Sequence, residues 1–132
     1  MARRLILDTG VLVAAERERI AAGIREDDDV VIAAVTLAEL YTGVDLASDA
    51  RRASRLLNVN RVLETVPIVA YDDDVAFAHG SLLAHVHRTG RPRSAHDLII
   101  AATAVATGRL LLTTDRAARF GELPGVQVEV LG

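Results

Sequence analysis

Residues 94–115 read SAHDLIIAATAVATGRLLLTTD, and this one stretch decides the fold. Ser94 opens a helical pattern that runs to about Thr107. Gly108 stops it, and Leu110 to Thr113 forms a short apolar strand. From Asp97 to Gly108 is eleven helical steps, about 16 Å outward at roughly 1.5 Å each. From Arg109 to Asp115 is six strand steps, about 20 Å back at roughly 3.3 Å each. The chain leaves an edge and returns to it. Asp97 and Asp115 are therefore expected at the same height.

The same alternation extends in both directions. Leu5-Ile6-Leu7 reads as a buried strand followed by a helix from about Gly10. Val30 to Val35 reads as a second strand, and Thr36 opens a helix. Arg51 to Leu63 is helical by period, with Ala53, Leu56, Leu57 and Val59 on its apolar side. Val66 to Val69 is a short strand, and Asp72 to Thr89 is an amphipathic helix closed by Gly90. A last strand, Val126 to Leu131, follows Pro124-Gly125. Short strands separated by helices mean βαβ units. The expected class is α/β, a three-layer domain whose mainly parallel central sheet is flanked by helices.

Length and composition agree. A chain of 132 residues suits a single domain over 1–132, and 51% apolar with 25% charged residues suits a compact core. There is no cysteine, which excludes disulfide scaffolds, zinc ribbons and cysteine nucleophiles. All 15 basic residues are Arg, so mechanisms that need a lysine are excluded as well. Aromatics are 3% of the chain, too few for a surface that stacks single-stranded bases on rings. Net charge is −3, which argues against a general nucleic-acid coat protein. Only three apolar residues stand between Arg4 and Asp8, too few for a signal-peptide core. The longest apolar stretch, Leu98 to Ala106, is about half of a membrane span. A cytoplasmic protein without a membrane partner is expected.

In open α/β sheets ligands bind at the carboxyl ends of the strands. Asp8 directly follows the first strand, and Asp115 follows Leu110 to Thr113. Glu39 falls in the first turn of the helix opened by Thr36, and Asp97 in the first turn of the helix opened by Ser94. Like charges 4 Å apart cost about 4 kcal/mol at an effective dielectric of 20. Either some of the four are protonated or a cation sits between them. Oxygen ligands without His or Cys suit Mg²⁺ or Mn²⁺. Such ions hold phosphoryl oxygens and activate water.

Four segments carry a resemblance. Leu5-Ile6-Leu7-Asp8-Thr9, Val35-Thr36-Leu37-Ala38-Glu39-Leu40, Asp97 through Ala104, and Leu112-Thr113-Thr114-Asp115 resemble the PIN-domain ribonucleases. They resemble most closely the VapC toxins of type II toxin–antitoxin modules. The order of the motifs matches over essentially the whole chain. The resemblance implies a PIN-like fold and a Mg²⁺- or Mn²⁺-dependent endoribonuclease. It also implies a homodimer held inactive by a VapB-type antitoxin. It carries metal or catalytic roles to Asp8, Glu39, Asp97 and Asp115. Two residues depart from the family pattern: Gly10 stands where Ser or Asn is frequent, and Ala117 where a further acid is frequent. The second departure counts against a second metal.

Plainer readings exist for several of these residues. Thr36 to Glu39 and Ser94 to Asp97 each fit a capping box or its broader form. Asp8-Thr9-Gly10 mimics the aspartic-protease triplet, but that fold is all-β. Receiver domains and haloacid-dehalogenase phosphatases also cluster acids here, but both use a lysine. Glu26-Asp27-Asp28-Asp29 reads as a solvated loop, and Asp72-Asp73-Asp74 as a helix cap. The histidines, including His96 beside Asp97, read as non-catalytic. Solvated surface is the default expectation for Arg51, Arg52, Arg55, Arg88, Arg91 and Arg93. If RNA binds, Arg91, Arg93 and Arg116 are the expected phosphate contacts. The competing function is a PIN-like domain that binds RNA or a partner without cutting.

Overall fold

The computed structural model describes residues 2–16 and 23–132. Five strands form one sheet: β1 (Arg4–Leu7), β2 (Asp29–Ala33), β3 (Ile68–Val69), β4 (Leu110–Thr113) and β5 (Val128–Val130). Their order across the sheet is β3-β2-β1-β4-β5, and every pairing is parallel. The chain winds outward from β1 to β3, then crosses to the other side of β1. The reversal lies between β1 and β4, where Leu7 pairs with Leu112. Such a switch point opens a crevice at the carboxyl ends of the two strands.

Strand side chains alternate between faces, and the core divides accordingly. Ile6, Val31 and Leu111 point into one layer with α4 (Asp73–Thr89) and α5 (Ala95–Thr107). Leu5, Leu7, Ile32 and Leu112 point into the other, where Val11 of α1 (Thr9–Glu16) is buried. Leu37 and Leu40 of α2 (Ala34–Asp45) and Val62 of α3 (Asp49–Thr65) pack against that second cluster. The expected three-layer α/β architecture is the one observed. A 3-10 turn at Phe120–Glu122 buries Phe120 beneath the loop that follows β4.

Local chemistry explains the helix ends. Asp72 caps α4, its carboxylate accepting from Val75 N at 3.0 Å, and Gly90 closes that helix at φ 63°. Ser94 caps α5, accepting from Asp97 N at 3.5 Å, and Gly108 closes it at φ 63°. The second helix departs from expectation. It begins at Ala34, so Val35 is helical and Thr36 lies inside the helix, fully buried. The N-cap is Ala33, with no side-chain cap, so the Thr36–Glu39 capping box does not form. Glu39 accordingly sits in the second turn. The physical reason is pairing: β2 runs out of partners at Ala33, opposite Val69.

The acidic run before β2 is also more than solvated loop. The Asp28 side chain is 1% exposed and pairs with Arg3 at 2.6 Å, while Asp29 pairs with Arg109 at 3.1 Å. Leu56 and Leu57 of α3 are exposed, and only Val59 of its expected apolar side is buried.

Candidate active site

The crevice is built from two adjacent strand ends and the starts of three helices. Asp8 leaves β1 with its backbone N–H donating to Leu112 O at 2.9 Å, so the sheet itself fixes its position. Its carboxylate is buried, 8% exposed, and held on both oxygens. Thr9 N donates to Oδ1 at 2.8 Å, and the Thr113 hydroxyl donates to Oδ2 at 2.7 Å. The N-terminus of α1 adds a positive partial charge beside the carboxylate.

Thr113 serves two acids. Its hydroxyl oxygen accepts from Asp115 N at 3.0 Å, which fixes the turn that leaves β4. Asp115 then accepts on Oδ1 from Ala118 N at 3.1 Å, and its exposed side chain stays at the mouth of the crevice. Glu39 reaches across from α2. Its Oε1 accepts from the Thr9 hydroxyl at 3.0 Å, and His96 Nδ1 stands 3.8 Å from Oε2.

Asp97, in the first turn of α5, lies within the electrostatic reach of all three of the other acids. Burial, and then the charges of Asp8, Asp115 and Glu39, push its carboxyl up to about 6, with His96 pulling the other way. The four acids expected at this edge are thus brought together.

Other placements differ. Arg91 and Arg116 are exposed. The Arg93 side chain is 12% exposed and bonded to the loop after Asp115, to Ala118 O, Arg119 O and Glu122. Gly10 has a local reason: a Cβ there would come within 2.9 Å of Thr114 Oγ1, where α1 crosses the end of β4. Sequence reasoning passed over Thr9, Thr113 and the contact of His96 with Glu39. A signal for Thr113 was available, because it lies two residues before Asp115 at the last paired position of a strand. A hydroxyl there can serve a neighbouring strand end.

A parallel-sheet edge that gathers four carboxylates and two threonine hydroxyls, with Asp8 buried and Asp115 exposed, defines a class of acidic α/β sites. Residues 5–124 match the PIN domain, and the chain belongs to that family. Its relatives within the family are named ribonucleases. It is 37% identical to Ribonuclease VapC5 of Mycobacterium tuberculosis over 113 residues, 83% of this chain and 82% of that protein. It is 30% identical to Ribonuclease VapC4 of the same organism over 126 residues, 96% of this chain and 95% of that one. The VapBC-5 crystal structure from M. tuberculosis, a member of the VapBC family of toxin–antitoxin systems, superposes with a TM-score of 0.81. That match has 31% identity and covers 97% of this chain and 98% of the other.

Proposed function

We propose that this chain is a cytoplasmic, metal-dependent endoribonuclease, one domain acting as the toxin of a type II toxin–antitoxin module. The observation that carries the reading is the convergence of Asp8, Glu39, Asp97 and Asp115 on one crevice, with Asp97 pushed up to about 6. Carboxylates gathered this closely repel, and a divalent cation relieves that repulsion. The donors are hard oxygens, which fits Mg²⁺ or Mn²⁺. Among the described residues no three acid or histidine side chains form a ready-made cage, so holding an ion requires some of these carboxylates to turn inward.

Asp8, Asp97 and Asp115 would hold the ion, with Glu39 joining them or orienting the attacking water. Bound there, the ion would neutralise phosphodiester charge and acidify water. Thr113 and Thr9 keep Asp8 and Glu39 in place. Arg91 and Arg116, both exposed, are the arginines available to RNA phosphates.

Partners follow from the same reading. VapC relatives occur in VapBC complexes, and we assign a VapB-type antitoxin and a second copy of this chain as partners. Tyr41, Leu46, Leu56, Leu57 and Leu63 on and between α2 and α3 are exposed apolar side chains, as are Tyr71 before α4 and Phe77 and Leu83 on it. Such surface suits burial by another chain. Among the described residues no helix is long and apolar enough to cross a membrane.

The test is cleavage of structured RNA by the purified chain with Mg²⁺ or Mn²⁺ and again with EDTA. Cleavage that requires the metal supports the reading. RNA binding without cleavage under either metal returns the chain to the non-cutting alternative.

A further inference from the structure

Arg93 stands four residues before Asp97, on the loop that leads into α5. Its guanidinium turns away from solvent and crosses to the loop that follows Asp115. Nη1 donates to Ala118 O and to Arg119 O, the latter at 2.8 Å, and Nη2 donates to Glu122 Oε2 at 3.1 Å. Three contacts commit most of its donors, and the side chain is 12% exposed.

The segment it grips is unusual. Arg119 has φ 51°, the one non-glycine in the left-handed region among the described residues. A residue with a Cβ enters that region at a cost and stays there only when its surroundings hold it. The left-handed turn presents Arg119 O to the guanidinium and leads the chain into the buried Phe120. Ala118 is held from both sides: its carbonyl by Arg93, and its N–H by Asp115 Oδ1 at 3.1 Å.

We propose that Arg93 is a positioning residue: it clamps the loop after β4 through Ala118 and Arg119, and so sets the Asp115 carboxylate for the RNA-cleaving site rather than contacting RNA. This rests on the nuclease reading for its effect on catalysis, but not for its effect on the loop. A planar fork suits two carbonyls and a carboxylate at once, whereas a lysine ammonium offers a single point charge. Arg91, exposed on the same loop, serves as the comparison.

The experiment uses the full chain with Arg93→Gln, Arg93→Lys, Glu122→Gln and Arg91→Gln. Amide hydrogen exchange is measured without metal or RNA, alongside kcat, KM and the salt dependence of RNA binding. The clamp predicts that Arg93→Gln speeds exchange at residues 118–123 about tenfold or more. It also predicts a kcat about tenfold or more lower, KM within about twofold, and an unchanged salt slope. Arg93→Lys should recover only part of the exchange protection and of kcat. Glu122→Gln, the milder change should Arg93→Gln fail to fold, should move exchange in the same direction by a smaller factor. A phosphate contact instead lowers the slope of log K against log salt by about one. That slope change for Arg93→Gln, with normal exchange and a raised KM, overturns the proposal. Unchanged exchange in both Arg93→Gln and Glu122→Gln overturns it too. If the wild-type chain does not cleave RNA, the nuclease reading fails while the exchange measurement still decides the clamp.

Discussion

The Thr113 hydroxyl donates to Asp8 Oδ2 at 2.7 Å, joining the end of β4 to the carboxylate that follows β1. The same oxygen accepts from Asp115 N, so one buried side chain orients two acids of the crevice. Thr113→Val keeps the shape and removes both bonds. Leaving such buried groups unpaired costs about 1–3 kcal/mol. Partners that orient ligands are worth about 10- to 100-fold in metal affinity or activity. The expected outcome is a lowered melting temperature and cleavage reduced by that order, read by calorimetry and an RNA cleavage assay.

Glu39 offers a cleaner separation of structure from chemistry. It caps nothing, because the N-cap of α2 is Ala33, and its Oε1 accepts from Thr9. Glu39→Gln retains an acceptor oxygen and loses the charge. Melting should stay near wild type, while cleavage should fall by about 10² to 10⁴, the usual worth of a positioned acid or base. Full cleavage by this variant would remove Glu39 from the site.

Thr36 makes the opposite kind of prediction. It is fully buried in α2, and its hydroxyl has no hydrogen-bond partner among the described residues. An unpaired buried hydroxyl costs about 1–3 kcal/mol in protein mutational series. Thr36→Val removes the polar atom at nearly constant volume, and should raise the melting temperature with cleavage unchanged. A drop in melting temperature would show that the hydroxyl has a partner in solution.

Two acids set the pH dependence of the metal-free fold in opposite directions. Asp97 has a carboxyl pushed up to about 6, so folding favours its protonated form. Its stabilising contribution is complete below about pH 4 and is lost as pH rises through about 6. Asp28 is lowered to about 2, chiefly by the hydrogen bond from Arg3, with burial opposing and the Arg25 backbone N–H assisting. Its contribution is present above about pH 4 and is lost as pH falls through about 2. From these two groups, melting in EDTA should be highest near pH 4 and should fall as pH rises from about 4 to about 6. Divalent metal, which favours ionised Asp97, should flatten that loss. A metal-free melting temperature that climbs steadily from about pH 4 to about pH 6 would contradict the crowding of acids around Asp97.

Much of this was legible in the sequence, and for definite reasons. Leu110 to Thr113 has the same bounds in the structure as in the reading, because Gly108 before it and the Thr-Asp turn after it are strong punctuation. Asp97 and Asp115 meet because helix rise and strand rise bring the chain back to one edge. The boundary of β2 was not legible. Val30 to Val35 is a continuous apolar run, and such a run does not say where strand becomes helix. Tertiary pairing decides it, at Ala33. Thr36 and Glu39 have capping-box spacing, but that pattern means little once the N-cap lies three residues earlier, at Ala33. Arg93 read as surface charge because the loop it grips is brought to it only by the fold, 25 residues further along the chain.

The central claim is that Asp8 and its neighbours hold a divalent metal that RNA cleavage requires. Titration of Mn²⁺ into the wild-type chain and into Asp8→Asn, followed by calorimetry, tests it most directly. The account predicts measurable binding by the wild type, an affinity at least about tenfold weaker in Asp8→Asn, and no RNA cleavage by that variant. Equal Mn²⁺ affinity in the two proteins would contradict it.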